Sequence, residues 1–277
     1  MKSVKNNLLG IYEKGIPLSL SWDDKFKLAK ESGFDFIELS IDGKEPRINR
    51  LYWTDEDIDE IYKISLKYKM PFKTLAFSAP RFYPLGDEEL CEKGVAMVKR
   101  GIEIASKLHA SIIQLPAYDV YNKPSTLKSQ ELYKKNIESL IPFAKRHDVI
   151  IGLEELEDVE HFNTHRKMAD YLRSVNSPNL MLYGDTGNIV YNNLDLLNDL
   201  PYSKDHLVSC HIKDAVYHNE HNVKYGEGTV DFKGVFDYFR EAEYQGYFVS
   251  EVWCEEDPDF VPYLKEISCF IRKYMED

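Results

Sequence analysis

The chain has 277 residues, room for one large barrel or two modest domains, and its 43% hydrophobic and 13% aromatic content excludes a disordered chain. A net charge of −12 repels a phosphodiester backbone and an anionic membrane face, so nucleic acid and membranes are excluded as expected partners, although a local basic patch can still hold one phosphate. Cys91, Cys210, Cys254 and Cys269 form no CxxC pair, and no apolar run approaches the roughly 20 residues that span a bilayer; the chain reads as cytoplasmic with reduced thiols.

Taken in chain order, short apolar runs alternate with amphipathic stretches. The predicted strands are Leu8–Tyr12, Phe34–Ser40, Phe72–Ser78, Ser111–Pro116, Val149–Glu154, Asn179–Asp185, Leu207–Lys213 and Gly246–Trp253. Between the early ones, Ser21-Trp22-Asp23-Asp24 opens a helix that Gly33 stops, and Thr54-Asp55-Glu56-Asp57 opens another with Ile58, Ile61, Ile64 and Ser65 on one face. Leu90 to Leu108 and Gln130 to His147 are longer helices of the same kind. Eight alternating βα units predict a parallel sheet closed on itself: an α/β fold, a (β/α)₈ TIM barrel, in one domain over residues 1–277. An open dinucleotide-binding sheet would want a Gly-rich loop after its first strand, and Gly10-Ile11-Tyr12-Glu13-Lys14-Gly15 is not one.

A barrel enzyme carries its chemistry at the C-terminal ends of its strands, so polar residues that close apolar runs are the informative ones. Glu154, Asp185, His211 and Glu251 close the fifth to the eighth runs in succession. Three carboxylates and an imidazole converging at one mouth call for a divalent cation, and this oxygen-rich set with one nitrogen suits Mn, Zn, Mg or Co. Alternation along the fifth strand sends Val149, Ile151 and Leu153 toward the helices and Ile150, Gly152 and Glu154 inward, which leaves Glu155 as a fallback metal ligand.

Around these four, the expected substrate contacts are Glu38, Arg81, Gln114, Asn188, Lys213 and Glu227, with Ser40 and Ser78 at the same mouth. Arg81 is the candidate anion contact. Lys213 shares a strand face with His211, its alternative being a surface pair with Asp214, and Glu227 sits in Gly226-Glu227-Gly228, by default a turn. Of the remaining histidines, His109, His147, His161, His165, His206, His218 and His221, most read as ordinary surface residues.

At these positions the chain resembles the xylose-isomerase-like barrel superfamily and, within it, the L-xylulose/L-ribulose 5-phosphate 3-epimerase family, also labelled hexulose-6-phosphate isomerase. The resemblance lies in the order and spacing of Leu9-Gly10-Ile11-Tyr12-Glu13-Lys14, Gly33-Phe34-Asp35-Phe36-Ile37-Glu38-Leu39-Ser40, Gln114-Leu115-Pro116-Ala117-Tyr118-Asp119-Val120-Tyr121, Asp185-Thr186-Gly187-Asn188, His211-Ile212-Lys213-Asp214, and Gly226-Glu227-Gly228 with Asp231-Phe232. It implies one divalent metal ion held by Glu154, Asp185, His211 and Glu251. Glu154 and Glu251 would double as acid and base in C3 epimerisation of a ketopentulose 5-phosphate. Two departures accompany it: Pro80 stands where the family suggests a histidine, and one extra residue follows Glu154. An aldose–ketose isomerase or a sugar dehydratase would use a similar metal set, and a non-catalytic sugar-binding protein is the reading from another class. An endonuclease of the same superfamily would need more ligand histidines and a basic face. A small sugar or sugar phosphate is the expected partner, and 19 tyrosines leave room for a homodimer or a higher homo-oligomer.

Overall fold

A computed structural model describes residues 4–157, 159–219, 223–253 and 260–276. Cys254 and His221 lie outside the described residues. Eight parallel strands pair in chain order and close into a barrel: β1 Leu9–Tyr12, β2 Phe36–Ile41, β3 Thr74–Phe77, β4 Ile112–Pro116, β5 Ile150–Glu154, β6 Leu180–Asp185, β7 Leu207–Ile212 and β8 Tyr247–Ser250. Every predicted strand forms, each starting up to two residues later than its apolar run. Strand limits shift by one or two residues with the hydrogen-bond pattern at their ends, where Asp35 N, just ahead of β2, already bonds Leu9 O of β1.

Side chains on these strands alternate between two environments. Val149, Ile151 and Leu153 pack outward with helix residues such as Ile137, Leu140 and Ala144, in the core between the strands and the outer ring. Tyr12, Phe36, Ala76, Ile112, Tyr183 and Val249 fill the barrel interior, with Ile150 packed against them. Gly10 is needed there: a Cβ at this position would stand 2.5 Å from the Phe36 ring.

The helices begin and end where their polar caps dictate. Ser21 accepts a hydrogen bond from Asp24 N to start Trp22–Glu31, and Gly33, at φ +93°, turns the chain out of it. Thr54 and Asp57 form a reciprocal capping box ahead of Asp55–Lys67. The helix expected from Gln130 starts earlier, at Leu127, because Thr126 and Ser129 cap it in the same way. Among the described residues no helix is long and apolar enough to cross a membrane.

Register sets what meets at the mouth. Pro116 pairs with Glu154, Glu154 with Tyr183, and Asp185 with His211, after an irregularity between Leu182 and Tyr183. The inward positions at the C-terminal ends of β5, β6 and β7 therefore carry Glu154, Asp185 and His211 side by side, with Glu251 directly after β8.

Candidate metal centre and substrate cavity

Glu154, Asp185, His211 and Glu251 are all buried, and one donor atom from each falls within 4.8 Å of the others. His211 Nδ1 lies 2.6 Å from Glu154 Oε1, 3.7 Å from Asp185 Oδ2 and 3.6 Å from Glu251 Oε2. Asp185 Oδ2 and Glu251 Oε2 are buried yet accept no hydrogen bond among the described residues, and the Lys213 ammonium stands 3.2 and 3.0 Å from them. Three buried carboxylates converging on one imidazole repel one another in a dry site, so the donor set fits a divalent ion.

Each of these side chains is held by its neighbours. Asp185 caps the short helix Thr186–Tyr191, its Oδ1 accepting from Gly187 N at 2.6 Å and Asn188 N at 2.9 Å. That leaves Oδ2 to face the centre. Gln114 donates to Glu154 Oε2 at 2.5 Å and accepts from Phe77 N through its own carbonyl. Burial pushes the carboxyls of Glu154 and Asp185 up to about 7 in the metal-free protein, against the pull of His211 and Lys213. Burial pushes the His211 imidazolium down, but the carboxylates of Glu251, Glu38 and Glu154 outweigh it and raise His211 well above the usual range.

The centre lies in a cavity of about 640 Å³ that opens at the C-terminal ends of the strands. Of the expected substrate contacts, Arg81, Gln114, Asn188 and Lys213 line it, as does Ser78. Lys213 is buried rather than paired on the surface: its ammonium donates to Asn188 Oδ1 at 2.8 Å and lies over the Trp253 ring, 5.2 Å from the centroid. Asp214 is buried separately, accepting from the amides of Gly226 and Gly228. It thereby fixes the Gly226–Gly228 turn, in which Glu227 is exposed and away from the cavity lining.

Two further expectations are corrected. Glu38 is buried below the cavity, where it accepts from Tyr183 OH and meets His211 Nε2, so it does not reach the cavity lining. Glu155 follows directly after β5 ends, yet its side chain still points away from the centre. Its Oε1 accepts from Asp185 N at 2.6 Å and lies 3.0 Å from Nε2 of a fully buried His165. His165 is thus no surface histidine; an acid on the outward face of a strand can be dry only with such a partner.

The cavity also contains residues that the reading of strand ends missed. Tyr12, Lys14, Asp42, Arg47, Tyr121 and Trp253 line its wall. The ammonium of Lys14 and the guanidinium of Arg47 meet Asp42 Oδ2 at 2.8 and 2.9 Å, and Arg81 stacks 4.8 Å from the Tyr121 ring centroid. Lys14 follows the end of β1 and could have been found by the same rule. Arg47, in the 3₁₀ segment Arg47–Tyr52, carries no such signal.

The family described as Xylose isomerase-like TIM barrel matches residues 26–274. The chain belongs to that family. It is 31% identical over 254 residues to L-ribulose-5-phosphate 3-epimerase UlaE of Escherichia coli (strain SMS-3-5 / SECEC), covering 90% of this chain and 89% of the relative. The apo 3-keto-D-glucoside 4-epimerase YcjR of E. coli superposes with a TM-score of 0.79 at 23% identity, covering 97% of this chain and all of the other. A Xylose isomerase-like TIM barrel protein from Mycobacterium smegmatis, in complex with magnesium, superposes at 0.75 with 17% identity, over 99% and 98% of the two chains. This member of the family is a sugar epimerase, an isomerase-class enzyme with a buried four-residue centre able to hold a metal.

Proposed function

We propose that the chain inverts C3 of a ketopentulose 5-phosphate, interconverting L-xylulose 5-phosphate and L-ribulose 5-phosphate. The observation that carries this reading is the placement of Glu154 and Glu251, two buried carboxylates beside one cation site at the floor of one cavity. The name of the 31% identical relative points to the same substrate. Glu154, Asp185, His211 and Glu251 would hold the ion, Mn, Zn, Mg or Co; when bound, it supplies the positive charge that makes a proton next to a ketone removable at neutral pH.

The rest falls to the protein's own side chains. One of Glu154 and Glu251 removes the C3 proton and the other returns a proton to the opposite face. Gln114 fixes the orientation of the Glu154 carboxyl. Lys213 and Asn188, bonded to each other beside the centre, would receive the sugar oxygens. At the outer wall, Lys14 and Arg47 converge on Asp42, with Arg81 also on the cavity wall. Two cations about one acid, with a third cation on the same wall, leave a surplus of positive charge that suits a phosphate monoester.

In D₂O, the metal-loaded protein is expected to place deuterium at C3 of L-xylulose 5-phosphate while L-ribulose 5-phosphate appears, both read by NMR. Label confined to C1 would instead identify an aldose–ketose isomerase, loss of water a dehydratase, and ordered binding without exchange a sugar-binding protein. Lys14→Met should raise KM for the phosphorylated ketose by about 10- to 100-fold and leave a free ketohexose unaffected, the loss expected for one charged hydrogen bond. An equal effect on both sugars would remove the phosphate from the assignment.

A further inference from the structure

His211 is gripped at both ring nitrogens. Nδ1 faces the centre, 2.6 Å from Glu154 Oε1, whereas Nε2 points into the barrel and meets Glu38 Oε2 at 2.8 Å. Glu38 belongs to β2, on the far side of the barrel from β7, and is fully buried. Its other oxygen accepts from Tyr183 OH at 2.6 Å. The Tyr183 and Tyr12 rings also contact the imidazole, at centroid distances of 4.7 and 5.9 Å, and crowd any alternative ring orientation.

We propose that Glu38, oriented by Tyr183, is a positioning residue that keeps the proton of His211 on Nε2 and so presents the Nδ1 lone pair to the cation. This inference rests on the metal reading above and assigns a role to a residue that touches neither ion nor substrate. The physical reason is the inventory of imidazole: a neutral ring has one N–H and one lone pair, and a carboxylate accepts but cannot donate. Without an ion both nitrogens face carboxylates and both donate; when an ion takes the Nδ1 side, the carboxylate fixed at Nε2 would keep the one remaining proton there and leave Nδ1 as the acceptor. A purely structural role for Glu38 is disfavoured because an acid in this apolar floor costs free energy that an apolar residue of similar volume would not.

The test is the tautomer and the Mn²⁺ affinity of Glu38→Gln and Tyr183→Phe, each checked for native circular dichroism. A glutamine turns either its carbonyl or its amide toward Nε2 and so no longer dictates the proton's place. Calorimetry should find Mn²⁺ bound about 10- to 100-fold more weakly by Glu38→Gln, the range seen when the hydrogen-bond partner of a ligating histidine is lost. Tyr183→Phe should shift affinity in the same direction and less, and it carries the test if Glu38→Gln fails to fold. In the Zn²⁺-loaded wild type, ¹⁵N NMR should find His211 protonated at Nε2, with this population reduced in Glu38→Gln. Unchanged affinity, or weaker binding with an unchanged tautomer, would overturn the role of Glu38 alone. A wild type that binds no divalent ion would overturn the metal reading and this inference with it.

Discussion

Glu154→Gln and Glu251→Gln are each expected to lower turnover by about 10²- to 10⁴-fold, the contribution of a positioned proton carrier, with further loss if metal affinity falls. An amide occupies almost the same volume as the carboxyl it replaces, but it can neither accept a proton from carbon nor return one. Gln114 and His211 would still find hydrogen-bonding atoms on a glutamine at position 154. Crowding also falls: Asp185 adds to the burial that keeps the Glu154 carboxyl at about 7, so neutralising one acid relieves repulsion in the metal-free protein. The melting temperature of Glu154→Gln without metal is therefore expected to hold or rise slightly while C3 hydrogen exchange slows by that factor. Exchange at the wild-type rate in either variant would remove that residue from the proton-transfer assignment.

The second large effect concerns stability. Glu13, directly after β1, is buried with two cations: its Oε1 accepts from Arg50 at 2.6 Å and Lys25 at 2.7 Å, and its Oε2 from Ser40 N at 3.0 Å. Trp22 covers both cations, with Lys25 at 4.8 Å and Arg50 at 5.0 Å from its ring centroid. Glu13→Gln would leave a guanidinium and an ammonium in a dry site without their counter-charge, at a cost of about 3–5 kcal/mol. Urea unfolding at pH 7 measures this directly, and a loss below about 1 kcal/mol would mean that water or another acid compensates.

The same cluster sets an acid limit. Burial would raise the Glu13 carboxyl, but Arg50 and Lys25 outweigh it and hold it at about 2, below its ordinary 4.5. A depressed folded pKa stabilises above the unfolded value, so this contribution is complete above about pH 4.5 and drains away as pH falls toward 2. Wild-type stability should therefore drop across that window, and Glu13→Gln should flatten that part of the drop. Because Lys14 is the next residue, loss of the cluster should also loosen the Lys14–Asp42 pair in the cavity wall.

Much of this architecture is local and so was visible in one dimension. A strand's alternation has a period of two, which separated Ile150, Gly152 and Glu154 from Val149, Ile151 and Leu153 before any contact was known. Helix starts were equally legible at Ser21 and Thr54, because a cap is a bond between residues three apart. The four metal-capable residues could be named because parallel strands in a barrel all end at the same mouth.

Only the tertiary structure decided which other residues join them. Glu38 resembled a mouth residue until barrel closure put it under a histidine 173 positions away. His165 resembled a surface histidine until β5 and its outer helix buried it against Glu155. Arg47 reaches the cavity from a segment with no strand or helix pattern of its own, while Glu227 is exposed because Asp214 holds its turn away. Periodicity says which face of an element a side chain takes. The opposing partner depends on the register and closure of eight strands together, and no single segment encodes that.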